Sequence, residues 1–215
     1  RRGGCHRASD ACGALPYSTP RTMDNLLGES ASARITAPSA ERNKQFILDE
    51  LLKVLPDAEA VKRDGRVLEI ASGTGQHISH FAAATPWLAW TPTELTSETF
   101  DSVRAWCTGL DNVAEPRELD GSAAPWAGID DGSLDAVYAC NVCHISPYAV
   151  TQGLFSGSAA ALAEGGVLCV YGPFSVRGEF TTESNRAFDS SLRERDPEWG
   201  YRDVEDLEGL AEANG

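Results

Sequence analysis

Positive charge is scarce in this chain. Lys and Arg number 18 against 32 Asp and Glu, a formal net charge of −14 over 215 residues. Such a surface repels phosphate backbones, and the sequence holds no cluster of Lys and Arg to offset it. Nucleic acid is therefore not an expected partner. Long apolar runs are also missing, and nothing approaches the roughly 20 residues that span a bilayer. The chain reads as a soluble protein without a membrane partner. A disulfide framework is absent as well. Of the six cysteines, Cys107, Cys140 and Cys169 lie in apolar runs and read as reduced core residues, with Cys5, Cys12 and Cys143 elsewhere. That favours a reducing compartment, and the cytoplasm is the expectation. Met23 is the only methionine. Residues 1–22 carry four Arg and one Asp, with no apolar core of a secretory signal. They read as an organellar transit piece or as sequence ahead of a start at Met23. Residues 1–36 are expected to form a disordered N-terminal extension, and 37–215 one domain.

What the sequence does have is concentrated in Arg66 to Gln76, R-V-L-E-I-A-S-G-T-G-Q. Val67, Leu68 and Ile70 make a short buried strand. It ends in Ala71-Ser72-Gly73-Thr74-Gly75, and His77, Ile78, Phe81 and Ala84 follow at helical spacing. Strand, glycine turn and helix form the opening unit of a nucleotide-binding α/β sheet. Glycines let backbone turn sharply and approach a ligand. The dinucleotide fingerprint is broken, because Ile78 stands where its third glycine belongs, and no P-loop Lys follows. Glu69, four residues before Gly73, completes E-x-x-x-G-x-G. An acid there suits a cationic ligand and repels phosphate.

Further along, a helix is expected after Pro38, with Phe46, Ile47, Leu48, Leu51, Leu52, Val54 and Leu55 on its apolar side. Its polar start, Glu41 to Lys44, faces either solvent or the ligand cleft. Leu88 to Thr93 reads as the second strand, although Pro92 is awkward inside a ladder. Glu94 lies about 20 residues past the turn, where this architecture places a ribose acceptor. A helix over 97–107 with Phe100, Val103 and Trp106 inward should precede a third strand around Val113. Leu134 to Cys140 reads as the fourth strand, a helix spans 147–163, and Val167 to Tyr171 is the fifth strand. Residues Asn141, Val142, Cys143, His144 and Ile145 then fall at the carboxyl end, where ligands bind in open α/β sheets. Phe180 to Gly200 reads as a polar insertion over the cleft, and a last helix spans 203–213.

Cys140-Asn141-Val142-Cys143-His144 matches the C-x-x-C-H haem-attachment pattern. A first cysteine inside a buried strand, and no second Cys/His pair at zinc spacing, argue against haem or metal. His144 instead has the chemistry of a base next to a reacting group.

The runs A-P-S-A-E-R-N-K, V-L-E-I-A-S-G-T-G-Q-H, N-V-C-H-I-S-P-Y, V-Y-G-P-F, G-E-F-T-T-E-S-N-R-A-F-D-S-S-L and R-D-P-E-W-G-Y-R-D resemble the DUF938 family, also called UPF0585 or the methyltransferase-like 26 group. The resemblance covers residues 37 to 215. It implies a Rossmann-like, doubly wound, mostly parallel sheet of the class I S-adenosylmethionine (AdoMet) methyltransferases. It names no substrate. It further implies AdoMet as cofactor, with Glu69, Ala71, Gly73, Gly75, His77, Glu94, Asp120 and Asn141 around it. Glu94 would take the ribose and Asp120 the adenine amino group. Asn141, His144 and Tyr171 would face a small-molecule or protein methyl acceptor, without metal. Glu69, Gly75, Glu94 and Asn141 are expected to share one rim. Two C-terminal edge strands of the class are missing from the chain, which reads as truncated. A non-catalytic AdoMet-fold module that binds another protein is the alternative, and a nicotinamide-linked oxidoreductase is disfavoured by the broken fingerprint.

Overall fold

A computed structural model describes residues 33–59 and 65–215. The transit-piece and early-start readings of residues 1–22 lie outside the described residues. The elements are α1 (Pro38–Leu51), β1 (Gly65–Ile70), α2 (Gln76–Ala84), β2 (Leu88–Glu94), α3 (Phe100–Trp106), β3 (Arg117–Glu118), β4 (Leu134–Cys140), α4 (Tyr148–Ala161), β5 (Leu162–Tyr171), β6 (Phe174–Ser175), α5 (Glu183–Arg195), β7 (Arg202–Asp203) and α6 (Val204–Asn214). Five strands form one parallel sheet in the order β3-β2-β1-β4-β5. β6 and β7 form a separate two-stranded pair. This is the Rossmann-like, doubly wound fold. β1 lies at the point where the strand order reverses, so a crevice opens at its carboxyl end.

Apolar side chains cover both faces of the sheet, as a parallel sheet requires. One layer joins Ile47, Leu48, Leu51, Val67, Phe81, Trp90 and Tyr138 beneath α1, α2 and α3. The other joins Leu68, Ile70, Val137, Leu154 and Trp126 beneath α4. Phe81 anchors the first layer, 5.5 Å from the Tyr138 ring and 6.0 Å from Trp90. The Trp90 indole N–H donates to Thr85 Oγ1 at 2.9 Å, and that hydroxyl donates to the Phe81 carbonyl at 2.7 Å. The indole is thus buried with its polar atom satisfied.

Several expectations shift by a stripe or a few residues. On α1 only Ala40, Ile47, Leu48 and Leu51 are buried. Phe46 is exposed because a helix on a sheet buries one stripe and it falls off it, and Leu52 and Val54 are exposed in the turn beyond the helix end. On α3, Ser102 and Ala105 go inward beside Phe100 and Val103. Trp106 instead lies at the edge, donating to the Ile35 carbonyl at 2.9 Å. Val113 makes only a single bridge to Trp90, and the third strand itself is Arg117–Glu118. Pro92 is buried mid-sheet. Trp90 N–H donates to Asn112 and Glu94 C=O accepts from Leu119, so both face β3, and the alternation points the Pro92 nitrogen there too. It falls in the gap between the Val113 bridge and the Arg117 pairing, where no ladder bond is needed. β5 is longer than expected, with an irregularity between its Leu162 pairing and its Val167 pairing to β4. Among the described residues β5 pairs with β4 alone. No helix among them is long and apolar enough to cross a membrane.

Candidate active site

The carboxyl ends of β1, β2 and β4 surround a cavity of about 470 Å³, within the range of cofactor pockets. β1 and β4 run side by side, and each ends on a residue in the left-handed region, Ala71 at φ 57° and Asn141 at φ 58°. Non-glycine residues adopt this conformation seldom, and it concentrates at functional sites. Both residues line the cavity. So do Gly73, His77, Glu94 and Asp120.

Gly73 has φ 56°, and a Cβ placed on it would meet nothing within 4 Å. Its bare backbone faces open space beside the cavity. Its N–H donates to Glu94 Oε1 at 2.9 Å, and the Leu95 N–H donates to Glu94 Oε2 at 3.0 Å. The carboxylate is therefore held in place by backbone, with lone pairs left for a ligand. Asp120 is exposed, and its Oδ1 accepts from the Ser122 N–H at 2.9 Å and the Ser122 hydroxyl at 2.7 Å. Those bonds hold its carboxyl below the usual range, so it is charged. His77 Nε2–H donates to Asn43 Oδ1 at 2.9 Å, and the ring stacks on Phe81 at 5.5 Å. Burial first, then the charges of His80 and Lys44, push its pKa down to about 4, so the ring is neutral.

Five residues expected at the site do not line the cavity, the buried Cys143 among them. Glu69 is nearly fully buried, on the opposite face of β1 from Ile70, which does line it. Strand alternation sets this side. Its carboxyl bonds the Ser72 hydroxyl, Oε2 has no partner among the described residues, and burial pushes its pKa up to about 7. Gly75, at φ 89°, is pressed against α3, where a Cβ would come within 2.7 Å of Val103 Cα. It serves helix packing. Of the four residues expected on one rim, Glu94 and Asn141 share it and Glu69 and Gly75 lie behind it. The Tyr171 ring packs on the first core layer, and Tyr171 meets the site through its carbonyl, which accepts the Asn141 N–H at 2.8 Å. His144 is buried between Phe188 and Tyr201, at ring distances of 6.0 and 6.3 Å.

Apart from Val142 and Ile145, which the end of β4 announces, the other wall residues carried no signal in the sequence. Ala37, Ser39 and Ala40 bring the start of α1 to the rim. They are held there because Gln76, buried on α2, accepts from the Ala37 N–H and donates to Glu41 Oε1. Leu95, Leu119, Ile145 and Val150 add apolar wall. Residues 34 and 35, counted with the N-terminal extension, are bonded to α3 through Arg34 Nε to the Ala105 carbonyl and Ile35 N–H to Ser102 Oγ, each 2.9 Å.

The haem-like motif is taken apart by the fold. Cys143 is buried, Cys140 half-buried, and burial pushes the Cys140 thiol up to about 12 and Cys143 upward as well. Neither is a ready nucleophile or ligand. Among the described residues no three His, Cys, Asp or Glu side chains are grouped to hold a metal ion. A larger hollow of about 600 Å³ lies between β5, α4 and the end of α6. It is lined by Gly165 and Gly166, but it lies along β5 at the edge of the sheet and away from the carboxyl ends of β1, β2 and β4, where open α/β sheets bind ligands, so the chemistry is sought in the smaller cavity.

The Rossmann-like fold is one that solved methyltransferase structures share. The chain is similar to a candidate methyltransferase of Bacillus halodurans C-125 (TM-score 0.60, 21% identity, 78% of this chain and 68% of that one). It is also similar to an O-methyltransferase family protein of Burkholderia thailandensis (0.65, 15%, 89% and 57%). A third is the Haemonchus contortus phosphoethanolamine N-methyltransferase 2 in complex with S-adenosyl-L-methionine (0.61, 18%, 90% and 41%). The chain thus spans 41 to 68% of the length of these three proteins. Residues 34–215 match the family described as "Protein of unknown function (DUF938)", and the chain belongs to that family.

Proposed function

We propose that this protein transfers a methyl group from AdoMet to a small molecule or a protein side chain. The observation that carries the reading is the cavity wall shared by the open backbone of Gly73 and the backbone-held carboxylate of Glu94. A side-chain-free turn accepts the amino-acid part of the donor, and Glu94 accepts the ribose hydroxyls. Asp120 keeps its charge and Oδ2 for the adenine amino group, with Leu95, Leu119 and Val150 around the ring. Ala71 and His77 complete the wall. The donor, when bound, supplies an electrophilic methyl on a sulfonium. Asn141 stands between the donor cavity and His144, and Tyr171 fixes Asn141 through its carbonyl. Holding nucleophile and methyl in line supplies much of such a rate. Glu69 acts one layer back, through Ser72, and Gly75 keeps the turn against α3.

Calorimetry with AdoMet, S-adenosylhomocysteine (AdoHcy) and NAD tests the assignment. AdoMet and AdoHcy should bind and NAD should not. Binding of NAD alone, or of none of the three, sinks it.

A further inference from the structure

Glu69 is a carboxyl inside a parallel strand, beside Pro92 on β2 and Tyr138 on β4. It is 2% exposed, and its Oε2 has no partner among the described residues. The packing of β1 does not ask for an acid here. Val67, two residues earlier on the same face, is an ordinary member of the core layer. A buried carboxyl with an orphaned oxygen costs stability, and such groups cluster at functional sites.

The groups that face Glu69 come from several elements, and none is a cation. Ser72 gives it a hydroxyl bond, β4 brings the Tyr138 phenol and the Cys140 thiol, the end of α3 brings the Cys107 thiol, and the end of β2 brings Glu94. Arg34, ahead of α1, is felt at Cys107 and not at Glu69, and its Nε is spent on the Ala105 carbonyl at 2.9 Å. Lys44 on α1 and His77 on α2 do not act on Glu69 either. Burial pushes the Glu69 pKa up to about 7, against the pull of the Ser72 bond and with a further push from the charge of Glu94. Glu94 lines the cavity, so a charge on that wall is felt at Glu69 across the turn. Ala71, Ser72, Gly73 and Thr74, which follow Glu69 through the turn, line the cavity as well. A positive charge in the cavity acts on Glu69 with the opposite sign to Glu94. AdoMet and AdoHcy differ by one such charge, the sulfonium.

We propose that Glu69 is the residue by which this site tells donor from product: it keeps its proton while the cavity is empty or holds a neutral thioether, and gives it up when a sulfonium is seated. The inference rests on the methyltransferase reading above. Glu69 touches neither ligand and acts on the charge through space. The carboxyl O–H bond breaks, its electron pair stays on oxygen, and the proton goes to solvent. Two unit charges roughly 10 Å apart, at an effective dielectric near 20, move an equilibrium about tenfold. Once the methyl has left, sulfur is neutral, Glu69 regains a proton, and the product lacks the attraction that held the donor. The donor's advantage is smallest at low pH, where Glu69 is protonated in both complexes. It is complete above about pH 7, where the carboxyl is ionised before either ligand arrives.

Calorimetry on the full chain with AdoMet and AdoHcy, from about pH 5.5 to 7.5, tests this. The ratio of the AdoHcy to the AdoMet dissociation constant should rise about tenfold over that range. AdoMet should release about half a proton near pH 6.5, read from how the binding heat depends on the ionisation heat of the buffer, and AdoHcy close to none. Glu69→Gln keeps the shape of the side chain and should flatten the ratio and abolish the release while both ligands still bind. Titration of the donor's own amine persists in Glu69→Gln, so the difference between the two proteins is the quantity read. A flat ratio in the unsubstituted chain, a rise of equal size in Glu69→Gln, or donor binding without proton release overturns the proposal. The proton count needs no variant and decides the matter even if Glu69→Gln fails to fold. Failure of the unsubstituted chain to bind either ligand is a failure of the methyltransferase reading instead.

Discussion

Two glycines and two glutamates make the glycine-turn region, and they divide into unlike pairs. Gly73 and Glu94 face the cavity, where one offers bare backbone and the other a carboxylate held by two N–H groups. Gly75 and Glu69 face the helices, where one lets α3 approach and the other lies buried with Oε2 unpaired. The residue types are the same and the spacing is close. The difference is the side of β1 and its turn on which each falls. Binding and folding are thus assigned to opposite faces of a single turn, and substitutions should separate them.

The largest effect belongs to Gly75→Ala. A Cβ within 2.7 Å of Val103 Cα, at φ 89°, combines overpacking with backbone strain. The loss should be roughly 3–5 kcal/mol in a urea melt. Gly73→Ala meets no atom and should lose only about 1 kcal/mol while weakening AdoHcy at least tenfold. Equal destabilisation by both would erase the contrast.

Glu69 comes next, and its effect depends on pH. In the fold its pKa stands at about 7 against the ordinary 4.5, so the folded chain binds the extra proton between those values. The associated stability is complete below about 4.5, declines as pH rises, and is gone above about 7. The span corresponds to about 3 kcal/mol. Glu69→Gln removes the titration, so its stability advantage over the parent should grow from pH 5 to pH 8. A constant difference across that range would show that the carboxyl is not buried as described.

Glu94→Ala should do the reverse. AdoHcy affinity should drop about 10²-fold in calorimetry, with a stability loss of roughly 1–2 kcal/mol for the two orphaned N–H groups. Asp120→Ala should have the smallest effect, a few-fold in AdoHcy affinity and under about 0.5 kcal/mol in the melt, because the side chain is exposed. A melt as damaged as that of Gly75→Ala would move Asp120 from ligand wall to fold.

The glycine motif made the turn legible but not its sidedness. Strand period two puts Glu69 and Ile70 on opposite faces, yet which face opens to the cavity depends on where α2 and α3 pack. Glu94 could be read because its distance from the turn follows from one strand–helix–strand unit. Ala37, Ser39 and Ala40 could not, since small residues ahead of a helix look like any linker until Gln76 binds them. The β4 edge was clear from its apolar run, and Asn141 followed from position alone. The setting of His144 was not readable, because Phe188, Tyr201 and Arg202 reach it from more than 40 residues along the chain.

The strand order carries a consequence of its own. Most of the proposed donor wall, Ala71, Gly73, Glu94 and Asp120, follows β1, β2 and β3 on one side of the reversal point, and Asn141 and Val150 join it from the other. The residues proposed to face the acceptor, Asn141 and His144, follow β4 on the other side, and Tyr201 and Arg202 pack around them. The two halves meet through the β1–β4 ladder, whose bonds are backbone, and through the core side chains packed on it. A chimera that exchanges 151–202 between family members should therefore shift acceptor preference more than donor affinity.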